Sequence, residues 1–226
     1  MSKAIQQIPL NLKHIESQGR EDFLVSDCNA QAAQAIDQWP RWANFSIIIQ
    51  GAEACGKSHL LSIWAERSGA KLVSAEAFIA QGWTAYSEVK VLAIDGIDAL
   101  IGEREAEQQL FHIYNHMKET GGHLLLASET VTKELDFVLP DLGSRLRSVP
   151  LYHIDQPDDA LLAAILVKMF SDRNLRIGAD VLNYVTPRIE RSFGAARAFV
   201  DAADHRALAT KRGITIPIAR EVLLSE

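Results

Sequence analysis

The sequence predicts an α/β fold: a parallel sheet of about five strands carrying a phosphate loop, followed by a small all-helical subdomain. Three observations support this. Short apolar, β-branched runs alternate with helical patterns between residues 29 and 154. Gly51, Ala52, Glu53, Ala54, Cys55, Gly56, Lys57 and Ser58 have the G-x-x-x-x-G-K-S spacing and directly follow the first such run. After Pro157 no strand pattern recurs and the apolar spacing is helical only.

In chain order, residues 1–15 read as an extended arm, because Pro9 disfavours the α region at Ile8 and cannot donate in a ladder. Asn29 to Trp39 reads as a helix, with Asn29 or Ser26 as its cap and Pro40 beyond its end. Ser46 to Gln50, with Ile47, Ile48 and Ile49 in succession, is a buried strand. Leu60, Leu61, Ile63 and Trp64 continue behind the loop at helical spacing. Lys71–Ser74 is a strand and Ala75–Gln81 a short helix, followed by the buried strand Lys90–Asp95. Glu103 to Lys118 puts Leu110, Phe111, Tyr114 and Met117 on one helical face. His123–Ser128 and Val149–Ile154 complete the strands. Beyond Pro157, Leu161, Leu162, Ile165, Leu166, Met169 and Phe170 stripe a helix, and further helical patterns cover 179–188 and 193–211. Three units follow: an arm over 1–15, an α/β base over 16–156 and a helical lid over 157–226.

The composition, 48% hydrophobic and 23% charged, is that of an ordinary globular chain. Two cysteines, Cys28 and Cys55, make no disulfide framework, which suits a reducing cytoplasm. No apolar run approaches the ~20 residues of a membrane span, and the N-terminus lacks a signal-peptide layout. A net charge of −6, from 23 basic and 29 acidic side chains, favours protein partners over direct grip on nucleic acid.

The chemistry is concentrated in four places. In the phosphate loop, Gly51 and Gly56 let backbone N–H groups turn toward phosphate oxygens, and the helix behind adds its positive end, with His59 next in line. Lys57 suits the β- and γ-phosphates, and Ser58 suits Mg²⁺. The expected ligand is a nucleoside triphosphate or its diphosphate product. The strand Val91–Asp95 ends in a carboxylate, the Walker B arrangement, which brings Asp95 to the same Mg²⁺. The next residue is Gly96, which can neither orient nor deprotonate a water, so intrinsic hydrolysis is expected to be weak or absent. Asp98 is expected to serve a turn or a helix cap. Between the last two strands, Arg145 follows Pro140-Asp141-Leu142-Gly143-Ser144, and its residue type allows either a reach to a neighbour's phosphate or a solvated helix end. Gly194 to Arg197 puts a guanidinium near the start of a lid helix, where it can fold over a nucleotide or form a surface ion pair.

In this order and spacing the four features resemble the AAA+ ATPases, and within them the DnaA branch, over residues 16–226. The segment from Phe23 through Val25 to Asn29 resembles the opening of the DnaA ATPase domain, where backbone and Asn help hold adenine. Leu125 to Ser128 resembles the sensor I strand, although its acidic residue is here Glu129. The resemblance implies that Arg145 is an arginine finger acting in trans and that Arg197 is the sensor II arginine. Two departures mark a sub-branch. The chain ends at Glu226, just past the lid, with no DNA-reading domain, and in place of an N-terminal helicase-loading domain it has Gln7, Ile8, Leu10 and Leu12. That stretch resembles the Q-L-x-L-x-L peptide that binds sliding clamps, in which the aliphatic side chains fill an apolar cleft and the Gln amide meets its polar rim.

Together these traits resemble the Hda family of regulatory inactivators. The resemblance implies a cytoplasmic protein that binds ADP or ATP with Mg²⁺. Its implied partners are the DnaA initiator and the β sliding clamp of DNA polymerase III, with self-association as a further trait and DNA reached only through the clamp. Stimulated hydrolysis of DnaA-bound ATP is the implied activity. A helicase-loader ATPase, an autonomous P-loop ATPase and a nucleotide-gated adaptor share parts of this pattern and stay open on sequence alone.

Overall fold

Ile47, Ile48 and Ile49 are almost wholly buried in β1 (Ser46–Gly51), as a continuous β-branched run in a parallel sheet requires. Strand alternation sends them to opposite faces. Ile48 packs with Leu92, Ile94, Leu124 and Leu126, while Ile47 and Ile49 pack with Ala93, Leu125 and Ala127. The computed structural model describes residue 20, residues 23–210 and residues 213–224. Gln7, Ile8, Leu10 and Leu12 therefore lie outside the described residues.

The described strands form one parallel sheet in the order β2 (Lys71–Ser74), β3 (Val91–Asp95), β4 (His123–Ser128), β1, β5 (Leu151–Ile154). The first strand in the chain thus lies between the fourth and fifth. The loop that leaves it opens at the carboxyl edge beside β4, with β3 one strand further on, where open α/β sheets place their ligands. Register aligns Gln50 with Ser128 and Ile94 with Leu126. The ends of β1, β3 and β4 consequently share one edge.

Helices α1 (Ala30–Gln38) and α2 (Lys57–Ser68) cover one face of the sheet. α3 (Ala75–Gln81), α4 (Arg104–Thr120) and α5 (Pro140–Arg147) cover the other. Each aliphatic side chain so buried contributes about 1.5–3 kcal/mol. The α4 face differs from the predicted one. Ile113 joins Leu110 and Met117 in the core, while Phe111 is only partly buried and lies under Arg145. Glu107 is completely buried on the same helix. It accepts backbone N–H bonds from Gly102 at 2.9 Å, Val138 at 2.9 Å and Leu139 at 2.6 Å. One carboxylate thereby fixes the chain just ahead of α5, whose start Pro140 suits by needing no N–H partner.

The lid consists of α6 (Asp159–Asp172), α7 (Ala179–Val185), α8 (Phe193–Thr210) and α9 (Ile216–Leu223), around a separate core that includes Leu162, Leu166, Phe170, Phe199 and Val200. Asp158 caps α6 by accepting the Leu161 N–H at 2.7 Å. α9 goes beyond the sequence expectation. It spans eight residues with Pro217 in its first turn, too short for a periodic pattern, yet tolerated because first-turn N–H groups need no helical partner. One backbone bond ties lid to base, Phe193 N–H to Ala54 O at 3.1 Å; within the base, just ahead of the lid, Asp155 N–H donates to Cys28 O at 2.9 Å.

Candidate functional site

The loop between β1 and α2 is shaped by two glycines with different reasons for being there. A Cβ at Gly51 would lie 2.6 Å from both the Cys55 sulfur and the Ile154 carbonyl oxygen, so close packing excludes any side chain. Gly56 has φ of 104°, in the left-handed region, and it precedes α2 without offering a side-chain cap. The first N–H groups of α2 are therefore left for a ligand, at the positive end of the helix. Cys55 is buried beneath the loop, and burial pushes its thiol pKa up despite the opposing charge of Lys57, so it serves as packing.

Lys57 is 6% exposed, and its Nζ donates to the carbonyl oxygens of Gly51 and Ala52, both at 2.8 Å. Ser58 Oγ donates to Asp95 Oδ2 at 2.6 Å, which joins the loop to the end of β3 as the sequence predicts. A hydroxyl and a carboxylate converging this closely, beside a buried lysine, fit a Mg²⁺ carried in on phosphate oxygens. Among the described residues no group of three or more His, Cys, Asp or Glu side chains could hold a metal by itself.

A cleft opens from the loop toward the lid. Ala54, Gly56, Lys57, Ser58 and His59 form its floor. Phe23 and Leu24 close one side, and Phe193, Gly194 and Arg197 of α8 close another. Phe23 meets the His59 ring edge-on at 5.4 Å and stands against Gly56. The last wall is Ile165, Lys168, Met169 and Asp172 of α6, with Lys168 and Asp172 paired at 2.7 Å. Sequence reasoning assigned α6 to the lid core and missed this flank; the i, i+4 spacing of Lys168 and Asp172 was the available signal.

The family for the bacterial DnaA ATPase domain matches residues 17–149, more than half of the chain. This chain belongs to the bacterial DnaA ATPase family. A second family match, to the lid domain of Hda, covers residues 158–223. Domain III of the Thermotoga maritima replication initiation protein DnaA superposes with a TM-score of 0.83 at 20% identity, over 92% of this chain and 96% of that one. DnaA from Aquifex aeolicus bound to AMPPCP gives 0.74 at 21% identity, over 87% and 68%. A mutant of Thermotoga maritima RuvB gives 0.74 at 15% identity, over 92% and 73%. These likenesses establish the AAA+ fold.

Within this DnaA-type frame the remaining predicted residues occupy distinct places. Asn29 is fully buried and away from the cleft. Its side chain accepts the Ser26 N–H at 2.9 Å and donates to Leu24 O at 3.0 Å, bracing the strip that presents Phe23 and Leu24. Val25 is half exposed and does not line the cleft. Ser128 does not line it either: it is fully buried, with its Oγ 2.7 Å from Thr130 O and 3.1 Å from Asp98 Oδ1, two acceptors for one proton. Asp98 also accepts the N–H groups of Glu129 and Thr130 at 2.8 and 2.9 Å. Its burial would raise its pKa, but these hydrogen bonds outweigh that and hold it below the usual carboxylate range. Asp98 thus anchors the segment after β4, where a turn or helix-cap role was expected.

Arg145 lies in the last turn of α5. Its guanidinium donates to Asn115 Oδ1 and lies 4.8 Å from the centre of the Phe111 ring, both on α4. It does not line the cleft. Arg147 turns elsewhere, over Phe137 at 5.1 Å. No helix among the described residues is long and apolar enough to cross a membrane.

Proposed function

We propose that this protein is a regulatory inactivator of replication initiation, acting on a DnaA-type initiator at the sliding clamp. The observation that carries the reading is the placement of Arg145. It is partly buried in the last turn of a helix, held by Asn115 and Phe111, and apart from its own chain's cleft. An arginine so held is pre-oriented to donate to a phosphate bound by another subunit. There it would stabilise the charge that develops on the transferring phosphoryl oxygens, an effect of about 10³–10⁵ in rate. Gly96 supports the division of labour, because no acid stands beside Asp95 to activate water on this chain's own ligand.

The cleft is the binding site for ADP or ATP with Mg²⁺. The AMPPCP-bound DnaA of Aquifex aeolicus supports this, as do Lys57, Ser58 and Asp95. Mg²⁺ would neutralise phosphate charge between Ser58 and Asp95. Arg197 and the Phe193–Ala54 bond link an occupied loop to the lid, so the nucleotide shapes the surface offered to a partner. The Gln7–Leu12 stretch tethers the protein to the clamp and raises its effective concentration near the initiator.

The test is hydrolysis of DnaA-bound ATP in the presence of DNA-loaded clamp. The wild-type chain should accelerate it. Arg145→Ala should abolish the acceleration while nucleotide and clamp binding persist, and joint replacement of Gln7, Leu10 and Leu12 by Ala should abolish clamp capture. Acceleration that survives Arg145→Ala removes the finger assignment. Binding of initiator and clamp with no acceleration makes the protein an adaptor.

A further inference from the structure

We propose that the lid carries a contact for the phosphate backbone of duplex DNA, formed by Tyr184, Arg188 and Arg220. The proposed function reaches DNA only through the clamp, so this contact goes beyond that reading.

Tyr184 stands on α7, Arg188 lies three residues past the end of that helix, and Arg220 is on α9. The Arg188 guanidinium lies over the Tyr184 ring, 4.2 Å from its centre, and its Nη1 donates to Tyr184 O at 2.8 Å. Arg220 Nε donates to the Tyr184 hydroxyl oxygen at 3.4 Å. One tyrosine thus gathers two arginines that are far apart in the chain. Both arginines are exposed, and none of the three residues lines the cleft.

Among the described residues neither guanidinium is paired with a carboxylate. Other lid arginines are: Arg173 with Asp201 at 2.5 Å, Arg191 with Asp159 at 2.8 Å and Arg206 with Glu221 at 2.6 Å. Glu221, next to Arg220, is therefore taken by Arg206. Asp180, one turn before Tyr184, folds back toward Gly178, where an added Cβ would meet its Oδ1 at 2.5 Å. Glu190, two residues past Arg188, is exposed and pairs with neither arginine.

The group offers donors. Stacking fixes the plane of the Arg188 fork, and Tyr184 takes up one of its N–H groups, leaving the others for an anion. The Tyr184 oxygen accepts from Arg220, so its own O–H is left to donate. Arginine forks and tyrosine hydroxyls are common partners of backbone phosphate. Charge along the chain points the same way. Residues 1–156 hold 13 basic and 20 acidic side chains, whereas residues 157–226 hold ten and nine. A polyanion is thus repelled by the base and met by the lid.

Duplex DNA suits the group better than an acidic peptide. Its rigid backbone carries one charge per about 1.7 Å of axis, so two fixed guanidinium groups meet phosphates already in place. An extended peptide sends successive carboxylates to opposite faces and must be ordered on binding. Two contacts make a weak site. Tethering to DNA-loaded clamp would supply the millimolar effective concentration at which such a site fills.

The experiment titrates the full chain into a fluorescent duplex of about 20 bp and follows anisotropy between about 20 and 200 mM salt. It needs neither clamp nor initiator, so its failure is distinct from failure of the proposed function. The wild type should bind with a Kd of about 0.1–1 mM at the lowest salt, and log K should fall with log salt at a slope of about −2. Arg188→Ala and Arg220→Ala should each weaken binding about tenfold and bring the slope to about −1. Arg188→Lys keeps the charge without the fork, so the slope should stay near about −2 at lower affinity, and it carries the comparison if Arg188→Ala does not fold. Melting curves report that each variant is folded. Arg67→Ala, which removes an arginine paired with Asp37 on the base, should bind as wild type does. Absence of binding at the lowest salt overturns the inference, as does a slope unchanged in both alanine variants. Tighter binding of polyglutamate than of the duplex also overturns it, because the patch would then serve an acidic protein surface.

Discussion

Adding one methyl group at Gly194 tests the coupling between lid and phosphate loop. A Cβ there would stand 2.8 Å from Ala54 Cβ. Carbon atoms in contact prefer about 3.5–4.0 Å, so the two segments must part by about 1 Å. Both carbons are bonded directly to the main chain, so no rotamer change can absorb the overlap. A shift of that size takes the Phe193 N–H to Ala54 O bond from 3.1 Å past hydrogen-bonding range. Overpacking of this kind costs about 1–3 kcal/mol and the bond contributes about 0.5–1.5 kcal/mol. Undocking the lid relieves the overlap, so the loss falls on ligand affinity: about 1–2 kcal/mol, or roughly fivefold to thirtyfold in the ADP Kd. Calorimetric titration measures it, with thermal unfolding as the control, because the lid core is untouched. Ala54→Gly supplies the compensation. It removes the opposing methyl and suits the φ of 54° at that position. The double variant should bind ADP within about twofold of wild type. An unchanged Kd in Gly194→Ala, or a loss that Ala54→Gly does not relieve, would refute the coupling.

Two further expectations concern carboxylates that accept backbone N–H groups. Glu107→Ala strands three backbone N–H donors and should cost at least about 3 kcal/mol, roughly 6–12 °C in Tm, with Glu107→Gln intermediate; a shift under about 2 °C in a melting curve contradicts the anchoring role. Asp98 has its folded-state pKa depressed, so its stabilisation is complete above the ordinary carboxylate value of about 4 and is lost as pH falls through the lower folded value. Urea midpoints followed down through this range should drop more steeply for wild type than for Asp98→Asn, and parallel profiles would remove Asp98 as a source of the acid sensitivity.

Much of the architecture was legible because it depends on local pattern. The triple isoleucine of β1 can only be a strand buried on both faces, and the G-K-S spacing has one strand–loop–helix context. The pairing of Ser58 with Asp95 was also readable, since both motifs end at the sheet's carboxyl edge. α9 was not, because eight residues beginning around a proline carry too few turns to show a period. The α6 wall of the cleft was hidden for another reason: Ile165 and Met169 satisfy a core pattern whichever way the helix is turned.

By itself the sequence determined the strands and the helices ahead of α9, the phosphate loop and the absence of an acid after Asp95, because spacing and residue type decide these locally. Tertiary structure alone decided the rest. Asn29 and Ser128 become braces rather than cleft walls because their hydrogen bonds are used up by main chain and Asp98. Arg145 is held by Asn115 and Phe111, thirty or more residues earlier in the chain, and Glu129 is set against Lys57 only because β4 lies beside β1. Such partners are brought together by strand order and helix packing, which no local spacing encodes.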